Sequence, residues 1–186
     1  MIIGLTGGIG SGKSTVCAML EAKGITCIEG DEIIQEMYKQ ETPIYKRLVV
    51  ECGDQILDTN GNIDLDRLRQ VGVSKRMKTR IRNMVWKKVV SKQKLMSNST
   101  LVFASSRIVE EKFPVDYIVL ISSTLETRRN RANRRGTRTK TFNQVIKGQL
   151  PLTELLPHAK IVLENNKSIK ALEKKVEKLA EKIKQL

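Results

Sequence analysis

The chain has 186 residues, 40% apolar and only 4% aromatic, and 34 Lys or Arg against 20 Asp or Glu give it a formal charge of +14. That balance excludes a disordered tail and a membrane protein, and the length suits one compact domain with room for a small insertion. Three cysteines, Cys17, Cys27 and Cys52, are odd in number and lack CxxC spacing, which argues against a disulfide framework or zinc site and for a reducing compartment. Each is expected to serve as a small buried hydrophobe.

The first residues read Met-Ile-Ile-Gly-Leu-Thr, with no basic leader and no apolar run long enough for a signal peptide or a span, so a cytoplasmic protein with no membrane partner is expected. Residues 2–6 are an apolar run suited to a buried strand. Residues 13–23 have helical spacing, with Val16, Met19 and Leu20 on one face until Gly24 stops them. A second brief strand is predicted at 25–28, and Gly30-Asp31 opens a further helix carrying Ile33, Ile34 and Met37. From about 43 to 97 the pattern is helical and strongly charged, broken near Gly53 and at the turn 59–62. Short β-rich runs at 100–105, 117–122 and 159–163 predict three more strands. Strands alternating with helices imply right-handed crossovers, hence an α/β fold with a parallel sheet. The last stretch sets Ile169, Leu172, Val176, Leu179, Ile183 and Leu186 at steps of three and four. Docking of that amphipathic helix on the sheet is favoured over a coiled-coil dimer, so a monomer is expected with oligomerisation left open.

The strongest motif lies between the first strand and the first helix. Gly7, Gly12, Lys13 and Ser14 satisfy GxxxxGK[ST] within Gly7-Gly8-Ile9-Gly10-Ser11-Gly12-Lys13-Ser14-Thr15. Glycines let backbone N–H groups converge on phosphate oxygens at a helix N-terminus. Gly8, Gly10, Ser11, Gly12, Lys13, Ser14 and Thr15 are therefore candidate nucleotide-binding residues; Lys13 is assigned to the β- and γ-phosphates of ATP, and Ser14 to Mg²⁺. Kinase, GTPase, motor ATPase and inert binder all use such a loop. With no Asn-Lys-x-Asp and only 186 residues, a small-molecule kinase fits best.

Beyond the loop, further segments carry a resemblance. The opening fifteen residues, Gly24–Asp31, Gly53–Asp64, Gln149-Leu-Pro151 and Ala159–Ser168 together resemble the dephospho-CoA kinase family from end to end. The resemblance implies a P-loop kinase fold: a five-stranded parallel sheet flanked by helices (core 1–30, 98–129 and 151–186), a helical substrate domain at about 31–97 and a lid at about 130–150. It implies transfer of the ATP γ-phosphoryl group to the ribose 3′-hydroxyl of dephospho-CoA.

Phosphoryl transfer needs a carboxylate to orient the attacking hydroxyl and take its proton. Asp31, after the second strand, is the candidate, with a plain helix N-cap as its structural alternative. Six arginines crowd residues 128–138; Arg134 or Arg135 is expected to stabilise the transferred group from the lid, while most of the others are expected on a solvated helix face. By resemblance Asn165 lies near the adenine, and Arg107 and Glu110 are candidate acceptor-site residues. The chain departs from the family's pattern at Ala104, where a carboxylate is usual, at Ser106 in place of a proline, at Trp86 in place of a His-Pro pair, and at Lys167 in place of a glycine. Ser105 or Ser106 is expected to cap a strand end. These departures leave two alternatives: a P-loop kinase acting on a nucleoside or nucleotide, and a non-catalytic nucleotide- or nucleic-acid-binding protein using the basic run from Lys75 to Lys94. Nucleic acid is the weaker of these, because few aromatics are available to stack bases. His158, the one histidine, offers no metal or triad partner.

Overall fold

The computed structural model describes residues 1–96 and 99–185. Ser97, the limit of the predicted helical run, and Leu186, the last residue of the C-terminal stripe, lie outside the described residues. Two compact units emerge, Met1–Glu29 with Lys92–Leu186, and Gly30–Ser91.

The first unit is built on five parallel strands, β1 (Ile2–Thr6), β2 (Thr26–Glu29), β3 (Leu101–Ala104), β4 (Tyr117–Ser122) and β5 (Ala159–Glu164), in the order β2-β3-β1-β4-β5. With β1 in the middle, β3 and β4 lie on either side, so the chain changes direction across the sheet at the carboxyl end of β1, where ligands of open parallel sheets bind. Side chains alternate between faces. Ile3, Leu5, Val102, Val119, Ile121 and Leu163 form one core with Val16, Cys17 and Leu20 of α1 (Lys13–Glu21) and with Leu172, Val176, Leu179 and Ile183 of α9 (Ile169–Lys184). The C-terminal helix is thus docked on its own sheet. Ile169, in its first turn, is 55% exposed and stands apart from the stripe predicted for it. Ser168 starts the helix, its hydroxyl accepting the Ala171 N–H.

Phe103 and Leu120 belong to the alternate positions and are fully buried; Phe103 meets Phe113 edge-on at 5.1 Å. All three cysteines are free, Cys17 and Cys52 buried and Cys27 half-buried. A hydrogen bond with Cys27 and burial push the Cys17 thiol far up, leaving it protonated and inert.

The second unit is helical: α2 (Gly30–Met37), α3 (Pro43–Cys52), α4 (Leu65–Val71) and most of α5 (Lys75–Leu95). The sequence predicts breaks near Gly53 and at 59–62; a further break at 72–74 separates α4 from α5. Two of these starts have a visible cap. Thr42 caps α3 by accepting the Tyr45 N–H with Pro43 in the first turn, and Asp64 caps α4 by accepting from Asp66 and Arg67. Met77, Ile81, Val85 and Val89 form the buried stripe of α5, which turns its cations outward.

In the first unit, α6 (Leu125–Arg134) and α7 (Thr139–Lys147) follow β4, and the short α8 (Leu152–Leu155) leads into β5. Thr124 caps α6 through the Thr127 N–H.

Candidate active site

The phosphate loop runs from the end of β1 to the first turn of α1. Gly10 has φ +75°, a conformation that side-chain-bearing residues rarely adopt, and a Cβ there would collide with the backbone of Arg128. At Gly8 the constraint is proximity, since a Cβ would occupy the space of the Arg128 guanidinium. Lys13 folds back over the loop, its Nζ donating to the carbonyls of Gly7 at 2.8 Å and Gly8 at 3.4 Å. The Ser14 hydroxyl, exposed at the start of α1, donates to Glu29 Oε2 at 2.8 Å.

The underside of the loop is pinned from β5. Asn165 is buried directly after that strand; its Nδ2 donates to the Ser11 carbonyl at 2.8 Å and packs 2.5 Å from where a Gly12 Cβ would sit. Arg131 completes the network, donating to the Asn165 carbonyl at 3.1 Å and to Asn165 Oδ1 at 3.2 Å. Ser123 Oγ donates to the same carbonyl at 2.8 Å. The side-chain amide of Asn165 is therefore engaged with the loop backbone and Arg131.

Two arginines depart from the sequence expectation of a solvated face. Arg128 is half-buried, donates from Nε to the Ile9 carbonyl at 2.8 Å, and has its pKa lowered by burial. Arg131, turned inward as described, is likewise lowered by burial and by the nearby Arg135 charge. Both remain cationic at neutral pH. The spacing 128–131 places them on the same side of α6, a signal available in the sequence. Arg134 and Arg135, the expected lid pair, are exposed at the end of α6.

Residues following β3 and α7 meet in the same unit. Arg107 donates to the Gly148 carbonyl at 2.8 Å, the Leu150 N–H donates to Glu110 Oε1 at 3.0 Å, and the Ile9 N–H of the loop donates to Gln149 Oε1 at 3.0 Å. Arg107 and Glu110 thus hold the chain that leaves α7. Ser105 accepts the Arg107 N–H at 3.3 Å, which is the expected strand-end cap.

Asp31 is exposed in the first turn of α2, followed by Glu32, where negative charge suits the helix dipole. It belongs to the second unit, two residues along the chain from Glu29, with which the first unit breaks off. Glu29 escaped the sequence reading. It occupies the first acidic position of Glu29-Gly30-Asp31 and pairs in register with Ala104, the strand end where the resemblance implies a carboxylate.

On the second unit, the basic run on α5 includes Lys88, which pairs with Glu36 at 3.1 Å and lowers that carboxyl's pKa. A groove of about 430 Å³ is lined by Lys46, Arg47, Val50, Glu51, Arg76, Met77 and Arg80. Among the described residues no helix is long and apolar enough to cross a membrane.

A glycine-rich loop at the central strand of a parallel sheet, with its lysine and hydroxyl in place and two arginines of α6 turned toward it, defines the class of P-loop nucleotide-binding proteins. The dephospho-CoA kinase family model matches residues 1–171. The dephospho-CoA kinase of Aquifex aeolicus is 31% identical over 189 residues, covering 97% of this chain and 96% of that protein. That of Fusobacterium nucleatum is 32% identical over 192 residues, covering 98% of each. A crystal structure from Thermus thermophilus shares the fold with a TM-score of 0.78 at 24% identity, covering 98% of this chain and 97% of that one. The chain belongs to the dephospho-CoA kinase family, an ATP-dependent kinase family of transferases.

Proposed function

We propose that this chain transfers the γ-phosphoryl group of ATP to the ribose 3′-hydroxyl of dephospho-CoA, forming coenzyme A and ADP. The observation that carries this reading is the family match along residues 1–171 beginning with an intact phosphate loop. In the reaction the 3′-oxygen forms a bond to the γ-phosphorus as the bond from phosphorus to the β,γ-bridging oxygen breaks, and the hydroxyl proton passes to a base. Asp31 is that base in our reading, and the 3′-oxygen is its hydrogen-bond partner.

The loop N–H groups and Lys13 hold the triphosphate and spread its charge. Gly8, Gly10, Ser11, Gly12 and Thr15 belong to this cradle, and Asn165 acts on it through Ser11 and Gly12. A Mg²⁺ ion fits the site on one observation: a hydroxyl and a carboxylate, both hard oxygen ligands, already meet at 2.8 Å in Ser14 and Glu29. Ser14 would ligate the ion and Glu29 would hold it or its water, and the bound ion would neutralise charge on the phosphates. Arg134 and Arg135 supply cationic charge from the lid, and Arg107 and Glu110 serve the acceptor side while anchoring residues 148–150.

The test is product identification. Purified protein given ATP, Mg²⁺ and dephospho-CoA should yield a coenzyme A that behaves chromatographically and by fragmentation as the 3′-phosphate. Phosphate found on another hydroxyl, or none at all with ADP still formed, would contradict the reading.

A further inference from the structure

We infer that Gln149 and Arg128 are positioning residues that set two consecutive peptide planes of the phosphate loop and so tie the loop to the α6–α7 segment. This inference rests on the loop's role as the ATP phosphate site. Ile9, at the crown of the loop, is held on both sides. Its N–H donates to Gln149 Oε1 at 3.0 Å and its carbonyl accepts from Arg128 Nε at 2.8 Å.

A trans peptide points its N–H and its carbonyl in opposite directions, so holding one end aims the other. The peptide joining Gly8 to Ile9 has its N–H on Gln149 and its carbonyl 3.4 Å from Lys13 Nζ. The same carbonyl also accepts the Ser11 N–H at 3.1 Å, so Gln149 holds one end of this plane while Ser11 and the loop lysine hold the other. The next peptide has its carbonyl on Arg128, which turns the Gly10 N–H away from Arg128. The left-handed conformation of Gly10, φ +75°, and the Arg128 backbone lying where a Gly10 Cβ would sit fit this arrangement.

Neither side chain belongs to the loop. Arg128 stands near the start of α6, and Gln149 follows α7. Gln149 is itself fixed by its neighbours, with Gly148 held by Arg107 and Leu150 by Glu110. Residues 129–148 are thus bracketed by two side chains that converge on one loop residue. A shift of this segment reaches the donors that bind phosphate through Ile9, with no need for a lid residue to touch the nucleotide.

Each hydrogen bond is expected to matter modestly on its own. Gln149→Leu and Arg128→Met should each weaken Mg·ADP binding about three- to tenfold by calorimetry and raise KM for ATP while KM for the acceptor stays put. Arg128→Lys, which keeps a cation and a donor, should lose less than Arg128→Met, and it replaces that variant in the cycle if Arg128→Met fails to fold. Because both bonds act on adjoining planes, the double variant should lose less than the product of the single losses. In nucleotide-free protein, Gln149→Leu should speed amide hydrogen exchange at Ile9 itself. Affinities within twofold of wild type in both single variants, strictly multiplicative losses, or unchanged exchange at Ile9 would overturn the inference. Wild-type protein that fails to bind Mg·ADP would overturn the phosphate-site reading and the inference with it.

Discussion

The hydroxyl of Ser14 donates to the carboxylate of Glu29 at 2.8 Å, joining the first turn of α1 to the last residue of β2. This contact gives the loop a carboxylate although β3 ends in Ala104, because Glu29 is the register partner of Ala104 on the neighbouring strand. Glu29→Gln removes the charge and keeps the shape. It should raise the Mg²⁺ concentration for half-maximal ADP release about tenfold, as loss of a carboxylate around a metal site commonly does. A magnesium titration at saturating ATP checks this, and an unchanged midpoint would remove Glu29 from the metal site.

Asp31 and Lys13 should separate chemistry from binding. Asp31→Asn keeps the helix start and removes the proposed base, so turnover should fall on the order of 10²–10⁴-fold while ATP affinity is retained. Lys13→Ala removes the cation on the loop carbonyls that we assign to the ATP phosphates, so ATP binding itself should weaken. Turnover like wild type in Asp31→Asn would end its catalytic assignment.

Gly10→Ala places a methyl against the Arg128 backbone in a left-handed conformation. The variant should be destabilised by about 1–3 kcal/mol. Its thermal midpoint should drop and its affinity for Mg·ADP should fall in parallel, since the strain is relieved only by moving the loop. A midpoint and affinity equal to wild type would show that the loop tolerates the side chain.

Asp58 organises the turn between α3 and α4. The N–H of Asn62 at 2.8 Å and that of Asn60 at 2.9 Å donate to its carboxylate and hold its pKa below the ordinary 3.8. A lowered carboxyl pKa stabilises the fold above the unfolded value, and that stabilisation is lost as pH falls through the folded value. Acid unfolding followed by circular dichroism below about pH 4 should therefore be shallower in Asp58→Ala, which should also be less stable than wild type at neutral pH. Curves of the same steepness would contradict the role of this turn.

The fold was legible because its signals are local. Apolar runs predict all five strands within a residue or two, and glycines mark the loop and the ends of α1 and α3. Gly72–Ser74 was missed because the charged pattern of α4 runs on into α5, while the helix ends there through a glycine with φ +82°. Site support was less legible. Whether an arginine on α6 faces solvent or the loop depends on how the helix packs, and Arg128 and Arg131 are turned inward while Arg134 and Arg135 stay exposed. The resemblance puts Asn165 near the adenine, while the bond of its buried amide to Ser11, from a position 154 residues away in sequence, is visible only in the fold. Glu29 went unnoticed because a single acidic residue at a strand end acquires meaning only beside Ser14.

The most direct measurement of the central claim is coupled ADP release from purified protein with ATP and Mg²⁺ across dephospho-CoA, adenosine and nucleoside monophosphates. Rapid turnover with dephospho-CoA alone, lost in Asp31→Asn, is the expected result. Preferential turnover of adenosine or a nucleoside monophosphate, or no acceptor-dependent ADP release with any of them, would contradict it.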